Sequence, residues 1–136
     1  MTEICAAMDA AALHALGPLE LAHVGDGVFE LLVRTHLALQ GSAKVGDLHR
    51  AAVAYVSAPA QAAAIARLQP YLTEEEQKVY HRGRNAHVHS TPSGCTIAQY
   101  HAATGLEALF GYLWLSGRAA RVQELFNVVL ENHHAS

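Results

Sequence analysis

The run LELAHVGDGVFELLVR, residues 19–34, sets two acids, Asp26 and Glu30, into the middle of a largely apolar, helix-like segment. Charge in the middle of a core segment is costly unless something pairs with it. A third acid, Glu107, interrupts a second apolar stretch, TIAQYHAATGLEALFGYLWLSG. These acids are either separate residues at a solvated edge or one converging carboxylate site. Carboxylates completed by water suit a hard divalent cation such as Mg²⁺, which is often held by one or two protein carboxylates while substrate phosphates fill the remaining positions. Asp26 stands between Gly25 and Gly27, and each glycine inside a helix costs about 1 kcal/mol relative to alanine. Such a pair points to a close approach of backbone or ligand at Asp26. Gly105, two residues before Glu107, points the same way. On their own these residues support a divalent-metal site and stop short of a reaction.

Other candidate chemistry is weaker. Four of the ten histidines, His81, His87, His89 and His101, fall in one region, but their spacing matches no standard zinc pattern. Cys5 and Cys95 are far apart and fit small hydrophobic positions in a reducing compartment. The segment HRGRN, taken alone, reads as a helix C-terminus with dipole-complementing arginines and a glycine cap.

The elements that must position these residues are helical. Alanine is abundant, Val, Ile and Thr are spread thinly along the chain, and no segment alternates with period two, so the chain is expected to be all-α with six or seven helices. At 136 residues, 51% hydrophobic and 15% charged, it is expected to form one ordered domain over residues 1–136. The first helix spans about Asp9 to Leu16 and the second runs from Pro18 to about Leu39. Asp47 is a candidate N-cap for LHRAAVAYV, and Ser57 with Pro59 starts a helix through Leu68. Thr73 and Glu76 form a capping box ahead of the next helix. NAHVHSTPSG is the longest irregular loop; a long apolar helix follows it, then a final helix from about Arg118 to Asn132. The net charge of −3 gives no global nucleic-acid footprint, although a local basic face remains compatible with it. The N-terminal residues lack a basic leader region and no apolar run reaches membrane-spanning length, so a cytoplasmic protein without membrane contact is expected.

Four blocks, LAHVGDGVFELLVRTHL, DLHRAAVAYVSAPAQA, LTEEEQKVYHRGRNA and YHAATGLEALFGYLWLSG, follow one another in the order and spacing of Mini-III ribonucleases. These are the small members of the ribonuclease III superfamily that lack a double-stranded-RNA-binding domain. The resemblance runs from about residue 13 to 130. It implies the ribonuclease III endonuclease-domain fold, a homodimer, and Mg²⁺-dependent cleavage of both strands of an RNA duplex. The task it implies is maturation of the large-subunit ribosomal RNA precursor. Asp26 falls on the family's metal-binding aspartate and Glu107 on its metal-binding glutamate. Full-length relatives carry a glutamate where this chain has Ala22 and an aspartate where it has Thr104. Both losses are typical of the Mini-III branch, and Glu30 is not carried over as a ligand.

The same resemblance assigns RNA contact to His49, Arg50, Ser57, Gln61, Lys78, Arg82, Arg84 and Asn85, donors suited to phosphates and 2′-hydroxyls across a shallow minor groove. His87 and His101 stand where relatives usually carry a basic residue. Specificity could come from duplex sequence, duplex shape or a ribosomal-protein helper. An alternative of another class stays open at this point: a non-catalytic double-stranded-RNA-binding homodimer that retained the fold.

Overall fold

Capping chemistry writes most of the helix starts. Asp9 accepts a hydrogen bond from the Ala12 amide at 2.9 Å, and Ser57 accepts one from Ala60 at 3.4 Å. Thr73 and Glu76 satisfy each other's backbone amides at 2.9 and 3.1 Å, and Thr96 and Gln99 do the same at 2.9 and 3.0 Å. Each such cap is worth about 1 kcal/mol. The resulting elements are α1 (Ala10–Ala15), α2 (Pro18–Leu39), α3 (Val45–Val56), α4 (Ala58–Leu68), α5 (Glu74–Arg84), α6 (Ile97–Leu115) and α7 (Ala119–Ala135), with a 3-10 turn at Gln69–Tyr71. They come from a computed structural model that describes residues 7–41, 44–86 and 90–135, among which no strand occurs. None of the described helices is long and apolar enough to cross a membrane.

One expected boundary moves. α3 begins at Val45 with Lys44 as its N-cap residue, so Asp47 lies inside the first turn, paired with Arg50. There its charge meets the positive end of the helix dipole instead of accepting a cap bond.

α6 is the axis of the domain and packs against α2, α4, α5 and α7. Its sequence is apolar all round, as burial on every side demands, and Leu106, Ala108, Leu109, Phe110 and Leu113 are fully buried. Phe29 of α2 meets Phe110 edge to face at 5.4 Å and Phe126 of α7 at 5.7 Å, which ties three helices together. α6 ends where Gly117 takes φ +79°, and the Arg118 amide then reaches back to the Leu113 carbonyl at 2.9 Å.

Glu76, at the start of α5, is 2% exposed. Arg121 of α7 donates to both its oxygens at 2.8 and 2.9 Å and to the Tyr71 carbonyl at 2.6 Å. Burial works to raise the Glu76 carboxyl, but the bonds from Arg121 and from Thr73 outweigh it and hold the group below the usual range. This pair fixes the N-terminal end of α5 to α7.

Candidate active site

Backbone contact brings the acids together. α2 and α6 cross at two glycines: a Cβ on Gly25 would stand 1.6 Å from the Glu107 carbonyl oxygen, and one on Gly111 would stand 2.0 Å from the Leu21 carbonyl oxygen. Only hydrogen fits at either place, so the residue after Gly25 must lie beside Glu107. The close approach expected of the glycines around Asp26 therefore belongs to Gly25. Gly27 is exposed, with nothing within 4 Å of a Cβ built on it. Gly105 serves another neighbour, since a Cβ there would meet the Tyr80 ring of α5 at 2.6 Å. Gly83 is not a cap: it is buried inside α5, where a Cβ would stand 2.9 Å from the Gly105 Cα, and the C-cap residue is Asn85. Gly111 went unread in the sequence, although its place four residues after Glu107 in an apolar helix was a signal.

The carboxyl groups of Asp26 and Glu107 lie close enough at the crossing to act on each other. Asp26 is exposed at the α2 surface, and Glu107 is half-buried beneath it. Burial, followed by the Asp26 carboxyl, pushes Glu107 up to about 8; the Gln61 amide opposes the rise, and the charge on Glu30 adds to it. With its carboxyl at about 8, Glu107 carries its proton near neutral pH. Glu30 itself pairs with Arg34 at 2.7 Å, as expected for a structural acid.

The donor set fits a hard divalent cation. Two carboxyls from two helices already converge at the crossing of α2 and α6. Among the described residues no group of three His, Cys, Asp or Glu side chains offers a fuller cage. That count suits an ion that keeps several waters and accepts phosphate oxygens. Neither Ala22 nor Thr104 adds a ligand: Ala22 is buried against Leu13 and Ala108, and the Thr104 hydroxyl donates to the Tyr100 carbonyl at 3.0 Å.

An open groove of about 340 Å³ adjoins Glu107. Ser57, Gln61, Tyr100 and the 92–95 segment line it. Gln61 is 2% exposed and lies beside Glu107, on whose carboxyl its amide acts. Free Cys95 points its thiol at the Pro92 carbonyl, 3.6 Å away. The sequence marked residues 92–94 only as part of a loop and Cys95 only as a small hydrophobe, and it assigned neither these nor Tyr100 of α6 to a site, because a groove made by packing leaves no local trace.

The other polar residues lie on exposed ends. Arg82, Arg84 and Asn85 are exposed at the C-terminal end of α5. The Arg84 guanidinium sits 5.9 Å from the Tyr80 ring centre, and Arg82 has no ion-pair partner among the described residues. The His101 imidazole Nδ1 donates to the Arg84 carbonyl at 2.7 Å and so ties this end of α5 to α6. Lys78 lies 3.9 Å from Glu74. His49 borders a separate cavity of about 400 Å³ between α2 and α3. His81 packs on Tyr80 with ring centres 5.2 Å apart, whereas His87 and His89 lie outside the described residues.

Comparison with known proteins agrees with this geometry. Residues 19–118 match the family model of the ribonuclease III domain. Mini-ribonuclease 3 of Symbiobacterium thermophilum is 48% identical over 116 residues, covering 85% of this chain and 89% of that protein. Mini-ribonuclease 3 of Clostridium tetani is 36% identical over 125 residues, covering 91% and 83%. A Fusobacterium nucleatum protein solved by X-ray crystallography superposes with a TM-score of 0.81 at 28% identity, over 88% of this chain and 96% of that one. A matching family model, close relatives and a converged carboxylate pair select the enzyme over the binding-only alternative. The chain belongs to the ribonuclease III superfamily and, within it, to the Mini-ribonuclease 3 family of endoribonucleases.

Proposed function

We propose that the chain is a Mg²⁺-dependent endoribonuclease that cleaves double-stranded RNA, acting in maturation of the large-subunit ribosomal RNA precursor. The observation that carries the catalytic part is the convergence of Asp26 and Glu107 at the glycine crossing of α2 and α6. The ribosomal substrate, a cytoplasmic setting and any ribosomal-protein helper follow from the family resemblance.

In this reading Asp26 and Glu107 hold the cation, which when bound supplies charge neutralisation at the phosphate and activation of the attacking water. Asp26, the exposed member, faces the substrate side, while Glu107 is backed by Gln61 and by the buried body of α6. The proton that Glu107 carries near neutral pH is lost more readily when the two carboxyls hold a cation. Among the described residues no other side chain touches the pair as an independent general base. Arg82 and Arg84 take phosphates of the duplex, and Ser57 and Asn85 offer neutral hydrogen bonds toward phosphates and 2′-hydroxyls. Lys78, one turn before Arg82 on α5, extends this surface, and the family resemblance adds His49 and Arg50 of α3.

The homodimer is part of the same proposal. Apolar Leu31 on α2 is 62% exposed, and Val45 and Val53 on α3 are 82% and 44% exposed. Val45 and Val53 flank the cavity between these helices. Exposed apolar surface of this extent supports a second copy packing there.

The test pairs the native chain with Asp26→Asn on a long RNA duplex. Native cleavage in Mg²⁺ should vanish in chelator, and Asp26→Asn should abolish cleavage while RNA gel shift and dimer mass persist. Wild-type cutting by Asp26→Asn would remove the metal assignment.

A further inference from the structure

We propose that Gln61 is the positioning residue of the carboxylate pair: from α4, its amide holds Glu107 in the orientation in which, with Asp26, it takes a divalent cation. The inference rests on the metal reading above and adds a residue on a third helix.

Three polar or charged side chains are buried among the described residues: Gln61, Glu76 and Thr104. Two of them have structural partners, Glu76 with Arg121 and Thr104 with the Tyr100 carbonyl. Gln61 lines the same groove as Glu107, and its side-chain amide acts on that carboxyl. A buried primary amide costs free energy unless it is bonded, and leucine or methionine would fill the same interior volume without that cost. A polar side chain at this place therefore serves the bond it makes.

Its placement is rigid. Ser57 caps α4, and the Gln61 amide nitrogen closes the first turn on the Ser57 carbonyl at 2.9 Å. α4 packs directly on α6, so the side chain reaches Glu107 from the groove side while Asp26 reaches it from α2. The chemistry suits the task. A lysine or arginine here would neutralise the carboxylate and compete with a cation for it. An amide donates a hydrogen bond, brings no charge, and leaves the other lone pairs of the carboxylate available. It also favours the charged, ligating form of Glu107.

The test uses the native chain and Gln61→Met, which keeps the volume and removes the donor. Mg²⁺ and Mn²⁺ affinities are measured by calorimetry, and cleavage is measured across Mg²⁺ concentrations. Gln61→Met should bind either ion about tenfold more weakly, and excess Mg²⁺ should restore much of its cleavage. Its melting temperature in chelator should stay near that of the native chain. Equal metal affinity in the two proteins would overturn the role of Gln61 and leave the metal reading intact. If the native chain bound neither ion, or if Asp26→Asn bound as tightly as native, both readings would fall. A measurement without substitution guards against misfolding of the variant. The Gln61 side-chain amide resonance of the ¹⁵N-labelled native chain should shift as Mg²⁺ is added, and a signal indifferent to the ion would overturn the inference.

Discussion

Gly25 of α2 presses on the main chain of Glu107 so closely that a methyl group there would stand 1.6 Å from the carbonyl oxygen. Gly25→Ala should therefore force the helices apart, lowering stability by about 3 kcal/mol or more and abolishing cleavage, as an overpacked core does. Gly27→Ala, with nothing within 4 Å, should fold and gain up to about 1 kcal/mol from helix propensity. Thermal denaturation of the two variants checks the contrast; equal melting temperatures would contradict the crossing.

The metal-free protein should show the carboxylate pair in its pH dependence. Glu107 is raised from 4.5 to about 8, so the native state keeps a proton that the unfolded chain releases. The stability from this group is complete below about pH 4.5 and is lost as pH rises to about 8. In chelator, stability should thus decline across that window, and Glu107→Gln should flatten the decline. An unchanged slope in Glu107→Gln would assign the effect to another group.

The Glu76–Arg121 pair gives the opposite sign. The Glu76 carboxyl lies below its ordinary value, so its stability is present above the unfolded value and is lost as pH falls through the folded one. Arg121→Ala leaves the buried Glu76 charge unpaired and should cost about 3–5 kcal/mol at neutral pH. Acidification should narrow the gap between this variant and the native chain. A constant gap would show that the pair contributes no pH dependence.

The exposed arginines at the end of α5 should act through phosphates. Arg82→Ala, which breaks no ion pair among the described residues, should weaken duplex binding for all sequences alike and reduce the salt slope by about one. Adding Arg84→Ala should reduce it about once more. An unchanged slope would move the RNA surface elsewhere on the protein.

The sequence carried the helix order well because its signals are local: Ser57 and the Thr73–Glu76 box stop or start a chain wherever they occur. It carried Asp26 and Glu107 through the family blocks, since nothing local says that acids eighty-one positions apart will touch. What it hid are properties of crossings. Gly83 looked like a cap because a glycine beside arginines at a helix end is the local rule, yet α6 passes over it. Asp47 looked like a cap because its side chain suits one, yet Val45 and Gly46 continue the helix beyond it. Gln61 looked like one more neutral donor, and only the packing of α4 on α6 turns it inward.

The distance between the two acids is fixed by main chain meeting main chain, whereas the groove beside them is walled on one side by a loop, residues 92–95. Hydrolysis and substrate choice thus have different tolerances for change. Residues at the glycine crossing are locked by steric exclusion, while substitutions in the loop can reshape what the groove admits without moving a carboxylate. A designer seeking new cleavage preferences should diversify the rim and leave the crossing untouched.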